Sequence, residues 1–167
     1  MTILTILTYP HPALRQRMRP VSVFDAALST KIADMFETMY HDDAVGLAAN
    51  QVGYQEAIMV IDVSDDKQSP LVLINPEIIV KKGTAMSEEG CASVPELNIK
   101  IPRAAEITVR AQNALGEPFI LENVTLLLSY CIQHEIDHLN GKLFFDYLSP
   151  LKKSIVIKKL KKMASTV

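Results

Sequence analysis

Apolar residues recur at helical spacing in three places along the chain. Leu28, Ile32, Met35, Phe36 and Met39 form one stripe behind Asp25, a residue type that accepts backbone N–H groups at helix starts. The spacing predicts an amphipathic helix that ends near residues 41–43. Residues 124–139 are apolar on nearly every side, which predicts a helix buried in the core, and Asn140-Gly141 is a stop signal. A third helix is predicted from Ser149-Pro150 to Met163, with Val156, Leu160 and Met163 on one stripe. Strand-like runs cover 57–63, 71–74, 77–82, 104–112 and 119–122, with a polar loop at 64–70 and a turn at 113–116. Residues 3–9 alternate weakly and read as a short strand or an extended arm. Residues 88–95 hold too much Gly and Pro for a regular element. Residues 44–53 are rich in small side chains, suited either to tight packing or to close approach by a ligand.

The order of helix, strands, helix, helix predicts an α+β fold with a largely antiparallel sheet. With 167 residues the chain is expected to be one domain: a main unit over 1–148, and a basic amphipathic helix over 149–167 packed on it. Composition is 49% hydrophobic and 22% charged, ordinary for a globular protein. A formal net charge of −2 argues against nucleic-acid binding by the fold as a whole. Two cysteines, Cys91 and Cys131, fit a reducing cytosol rather than a disulfide framework. The apolar N-terminus lacks a basic start and runs into prolines, so it reads as mature sequence. No apolar run approaches the ~20 residues that span a bilayer.

The densest chemistry is Gln133-His134-Glu135-Ile136-Asp137-His138. On a helix, positions four apart stack ~6 Å apart along the axis, so His134 and His138 can grip one cation. Glu135 leaves at another angle and faces a water on the metal rather than ligating it. This is the His-Glu-x-x-His pattern of helical metal hydrolases. The bland alternative is a solvated polar turn, which a buried helix disfavours, because its polar groups need partners.

A catalytic site of this kind needs a third protein ligand and an open position. Phe144 stands where the metzincin extension has its last histidine. Beyond His138 there is no further His, Cys or Glu, only Asp146. Cys131 lies seven residues before His138, ~10.5 Å of helix axis, too far to share a cation easily. Cys91, on an irregular segment that can fold over the helix, is the chosen ligand. Cys131 is either a thiol lining the pocket or a small buried hydrophobe. One divalent cation would lower the pKa of a water to give hydroxide, and Glu135 would take the proton and pass it to a leaving amine. The Gln51 amide and backbone N–H groups around Cys91 could hold an oxyanion. The constellation suits hydrolysis of an amide-like carbonyl.

Three ordered segments resemble the peptide deformylase family: Gly46-Leu-Ala-Ala-Asn-Gln51, Glu89-Gly-Cys-Ala-Ser93 and Gln133-His-Glu-Ile-Asp-His-Leu139. The likeness extends to Leu71-Val-Leu-Ile-Asn-Pro76 and to Tyr147-Leu-Ser-Pro-Leu151. That family removes the formyl group from N-formylmethionyl nascent chains. The resemblance implies antiparallel sheets packed around a central buried helix carrying the motif, plus a C-terminal helix. It implies Cys91, His134 and His138 as ligands of Fe(II) in the cell, with Zn(II) or Ni(II) able to occupy the site. Glu135 would be the general acid/base, and Gln51 and the Ala92 N–H would hold the formyl oxygen. The Gly46 backbone would pair with a substrate entering as an added strand. Ala44, Val45, Glu89, Gly90, Tyr130 and Cys131 would contact substrate, and Asp137 would anchor the helix through Arg103.

Ala92 stands where the family usually has leucine, Ala44 where many members have glycine, and Tyr130 where a smaller aliphatic residue is common. The added methyl and phenol reshape the expected methionine pocket, so a paralogue with another acyl substrate is one alternative. Another is a metal-stabilised module that binds ribosomes. Lys152, Lys153, Lys158, Lys159, Lys161 and Lys162 crowd the last helix. Their commoner use is a solvated face, and their sharper use is a contact for RNA or a ribosome. A cytoplasmic monomer is expected.

Overall fold

The computed structural model describes residues 2–165, so the last two residues of the expected tail helix lie outside the described residues. Helix α1 spans Ala26–His41, and Asp25 caps it, its carboxylate accepting the Leu28 N–H at 3.0 Å. Strands β1 (Gly46–Ala48), β2 (Ile58–Ile61), β3 (Leu71–Cys91), β4 (Val94–Gln112) and β5 (Pro118–Thr125) follow. Helix α2 spans Leu126–Leu139 and α3 spans Pro150–Ser165. Among the described residues the strands form one antiparallel sheet in chain order, not several. No described helix is long and apolar enough to cross a membrane.

Several expected boundaries are corrected. The runs at 71–74 and 77–82 belong to one 21-residue strand that continues to Cys91. A register shift between Ile74 and Glu77 absorbs Pro76 and the positive φ of Asn75. Residues 88–95 are likewise not irregular. Cys91 pairs with Val94 across a two-residue turn, while a further register shift, beyond the Glu89–Ile99 pair, accommodates Gly90, Pro95 and the positive φ of Glu96. Cross-strand pairing overrode local composition at both places. Residues 3–9 form an extended arm rather than a strand, held by Leu7 N–H to Gln51 O (2.7 Å) and Tyr9 N–H to Ser93 O (2.8 Å).

Helix α2 begins two residues later than expected, since Val124 still pairs in β5. Its first turn is not buried: Leu126 is 70% and Leu127 53% exposed. From Ser129 onward the helix packs against β1, β2, β4 and β5. Gln133 clamps it to β4, accepting from Ala104 N–H at 2.9 Å and donating to Ala104 O at 3.0 Å. Gly141 stops it with φ +74°, and the Lys142 N–H closes the last turn on Asp137 O at 2.8 Å. A side chain at Gly141 would collide with the Arg15 backbone.

Two apolar clusters flank α2. The larger joins α1, β1, β2, the outer ends of β3 and β4, and α2. The smaller gathers Val94, Leu97, Ile101, Leu143, Phe144 and Phe145 under Leu160 of α3. The long β3–β4 hairpin thereby delivers its tip, with Cys91, to the motif face of α2.

Candidate active site

Cys91 ends β3, and His134 and His138 stack on the inner face of α2. One donor atom from each lies within 4.8 Å of the others. Cys91 Sγ is 3.2 Å from His138 Nε2. Metal bonds to such donors run about 2.0–2.3 Å, so one cation can reach all three. Cys131 is not in this group. Its Sγ sits 3.8 Å from Val45 O, and it lines the adjoining cavity.

The ring of His134 is oriented from behind. Glu89 Oε1 meets its Nδ1 at 2.8 Å, leaving Nε2 for a cation. Glu89 is itself forked by Arg103, Nε to Oε2 and Nη2 to Oε1, both at 2.8 Å. The third arm of Arg103 donates to Asp137 Oδ2 at 2.6 Å. This ion pair is buried, with the Arg103 side chain 2% exposed.

Charges in the site are strongly biased. Burial works against the Glu89 carboxylate, yet the Arg103 and His134 bonds hold its pKa down to about 2. Burial also opposes charge on His134, but Cys91, Glu89 and Glu135 outweigh it and pull its pKa up to about 10. His138 goes the other way, pushed well down by burial and by the charge on His134. Burial lifts Glu135 to about 7, with the His134 charge opposing. Burial likewise raises the Cys131 thiol. The donor set itself, a thiol and two imidazoles whose ligand atoms meet beside buried carboxylates, fits a divalent cation. Glu135 Oε2 and His138 Nδ1 are buried without a hydrogen-bond partner among the described residues.

A cavity of about 390 Å³ opens onto these groups. Its walls include Ala44, Val45, Gly46, Gln51, Glu89, Gly90, Ala92, Tyr130 and Cys131, along with Cys91, His134 and Glu135. Gly46 lies on β1, whose described partner is β2, leaving its other edge open toward the cavity. A Cβ at Gly46 would lie 2.8 Å from Cys131 Sγ and 3.1 Å from Glu135 Oε1, so only glycine lets β1 approach α2 this closely. Gln51 accepts the Ala48 N–H at 2.9 Å. Its amide nitrogen donates to Ser93 Oγ at 3.0 Å and sits 3.7 Å from Cys91 Sγ. His138, Asp137 and Arg103 are not on the cavity wall.

Sequence reasoning did not single out Ser93, which fixes Gln51, or Leu127, Ser87, Glu88, Asp42 and Asp43, which complete the walls. Ser93 carried one signal, its place two residues after Cys91. Tyr147 carried none from periodicity, yet its hydroxyl donates to Asp137 Oδ2 at 2.8 Å.

Residues 3–154 match the sequence model of the polypeptide deformylase family. A peptide deformylase of Pseudoalteromonas translucida is 51% identical over 98% of both chains. One from Nitrosococcus oceani is 51% identical over 97% of this chain and 96% of its own. The crystal structure of a peptide deformylase from Legionella pneumophila superposes with a TM-score of 0.92 at 45% identity, covering 99% of this chain and 97% of that one. Likeness along nearly the whole chain, in sequence and in fold, means that this chain belongs to the polypeptide deformylase family.

Proposed function

We propose that this protein removes the formyl group from the N-terminal formylmethionine of newly made peptides, releasing formate and a free amine. The observation that carries the reading is the convergence of Cys91, His134 and His138 beside a buried Glu135 carboxylate with one unpartnered oxygen, with Cys91, His134 and Glu135 on the wall of a cavity of about 390 Å³. Cys91 Sγ and one nitrogen from each histidine would hold a divalent cation, which when bound acidifies a water and polarises a carbonyl. Glu135 takes the proton of the attacking water and returns it to the leaving amine. Burial disfavours the charged form of this carboxyl, so Glu135 can hold a proton as well as give one up. The Gln51 amide and the Ala92 N–H hold the formyl oxygen as it gains charge.

The open edge of β1 at Gly46 pairs with the peptide backbone as an added strand. Ala44, Val45, Tyr130 and Cys131 enclose the methionine side chain, and Glu89 and Gly90 border the peptide. In this reading α2, buried from Ser129 onward, is the central helix of a catalytic unit over 1–148, with the described part of the tail packed on that unit. Fe(II) is the metal in the cell, with Zn(II) or Ni(II) able to replace it, and the protein acts as a cytoplasmic monomer. Purified without oxygen and loaded with Fe(II), it is expected to release one formate per amine from formyl-Met-Ala and to stop when a chelator strips the metal. Metal-loaded protein that yields no formate sinks the proposal.

The lysine-rich helix α3 extends the reading to the ribosome. Lys152, Lys158, Lys159 and Lys161 are exposed, while Leu160 packs inward. Co-sedimentation with ribosomes is expected to weaken as salt rises and to be lost on deleting residues 151–167. Binding indifferent to both changes removes the tail from the account.

A further inference from the structure

We propose that Tyr147 is a positioning residue for His134, acting through Asp137, Arg103 and Glu89; this rests on the reading of His134 as a metal ligand. Tyr147 closes a 3-10 turn, Phe144–Tyr147, that links α2 to α3. The turn is a firm base. Phe144 and Phe145 are buried, and Asp146 is tied to Arg15 at 2.7 Å, to Lys153 at 3.1 Å and to the Leu143 N–H at 3.0 Å.

From this base the turn reaches His134 by two routes. The Phe144 ring packs on the His134 ring, centroids 5.6 Å apart. The second route is polar. The Tyr147 hydroxyl donates to Asp137 Oδ2 at 2.8 Å, the same oxygen that accepts Arg103 Nη1 at 2.6 Å. The Tyr147 ring also meets the Arg103 guanidinium, 5.0 Å from its centroid, and the Lys142 ammonium at 3.9 Å. Arg103 is therefore held over the Tyr147 ring by a cation–π contact, and in direction by an Asp137 carboxylate that Tyr147 holds.

The direction matters because the guanidinium is a rigid fork. Its other two arms set both oxygens of Glu89, and Glu89 sets the His134 ring through Nδ1. A rotation of the fork would be passed on to the nitrogen that faces Cys91 and His138. The Tyr147 hydroxyl is the distal end of that chain of contacts, on an element that contributes nothing to the cavity wall.

Tyr147→Phe removes the hydroxyl and keeps the ring with both of its cation contacts. Wild-type and variant protein would be loaded with Co(II) and titrated against a chelator while the ligand-field and thiolate bands are recorded. The variant is expected to hold Co(II) about 10-fold less tightly, near the low end of what outer-shell contacts contribute. Its bands should shift and kcat should fall with little change in KM, while its unfolding midpoint stays close to wild type. In an Asp137→Asn background the same substitution should change Co(II) affinity no further. Wild-type affinity and bands in Tyr147→Phe, or full additivity with Asp137→Asn, overturn the proposal. Wild-type protein that takes up no Co(II) would instead overturn the metal reading, and this inference with it.

Discussion

Glu135→Gln is expected to lower kcat/KM for formyl-Met-Ala about 10³-fold, the middle of the range for a positioned acid–base group. That loss corresponds to about 4 kcal/mol of transition-state stabilisation. The substitution keeps the shape of the side chain and removes its ability to carry a proton. Glu135 is 4% exposed, and one of its oxygens has no described partner, so few structural contacts depend on its charge. Burial already raises its pKa to about 7, so a neutral amide relieves a group that is costly to ionise there. The unfolding midpoint should accordingly hold or rise, and the metal content should remain one per chain. This combination separates a proton-transfer role from a structural one. If the variant keeps its metal and activity within tenfold of wild type, Glu135 is not the acid–base group.

What the sequence made legible was what local spacing and residue chemistry determine. Asp25 and the stripe from Leu28 to Met39 mark α1 because cap and periodicity act within one helix. Gly141 marks the end of α2 because its positive φ is a local demand. The geometry of i and i+4 on a helix put His134 and His138 together, and helix rise separated Cys91 from Cys131. The length of β3 was hidden because Pro76 and Gly90 read as breaks, whereas pairing with β4 absorbs them in register shifts. The exposed first turn of α2 was hidden too: Leu126 and Leu127 have the composition of a core, and only the path of β5 brings them to the surface and Leu127 to the cavity. Ser93 and Tyr147 act on partners 42 and 10 residues away through single hydrogen bonds, which leave no periodic trace.

The largest stability effect is expected at Arg103. Arg103→Met should destabilise the protein by about 3 kcal/mol, the low end for a broken buried pair, because it takes the guanidinium from the buried Glu89 carboxylate and leaves Asp137 with the Tyr147 hydroxyl. Glu89 is 8% exposed and receives two of the three bonds, and Asp137 receives the third at 2.6 Å. Glu89 cannot regain water without opening the seam between β4 and α2, whereas the Asp137 side chain is already 17% exposed and so adds less. For a chain of this length the loss corresponds to a fall in Tm of about 10 °C. The site should weaken with it, since Glu89 released from the fork no longer fixes Nδ1 of His134, and metal affinity is expected to drop about 10- to 100-fold. Arg103→Lys restores a positive charge but not a planar fork with three directed donors, so it should recover part of the stability and little of the metal affinity. Urea unfolding of the metal-free proteins isolates the ion pair from the metal's own contribution to folding. An Arg103→Met midpoint equal to wild type in that experiment would mean that the carboxylates find other partners, and that the helix is held by Gln133 and its apolar face alone.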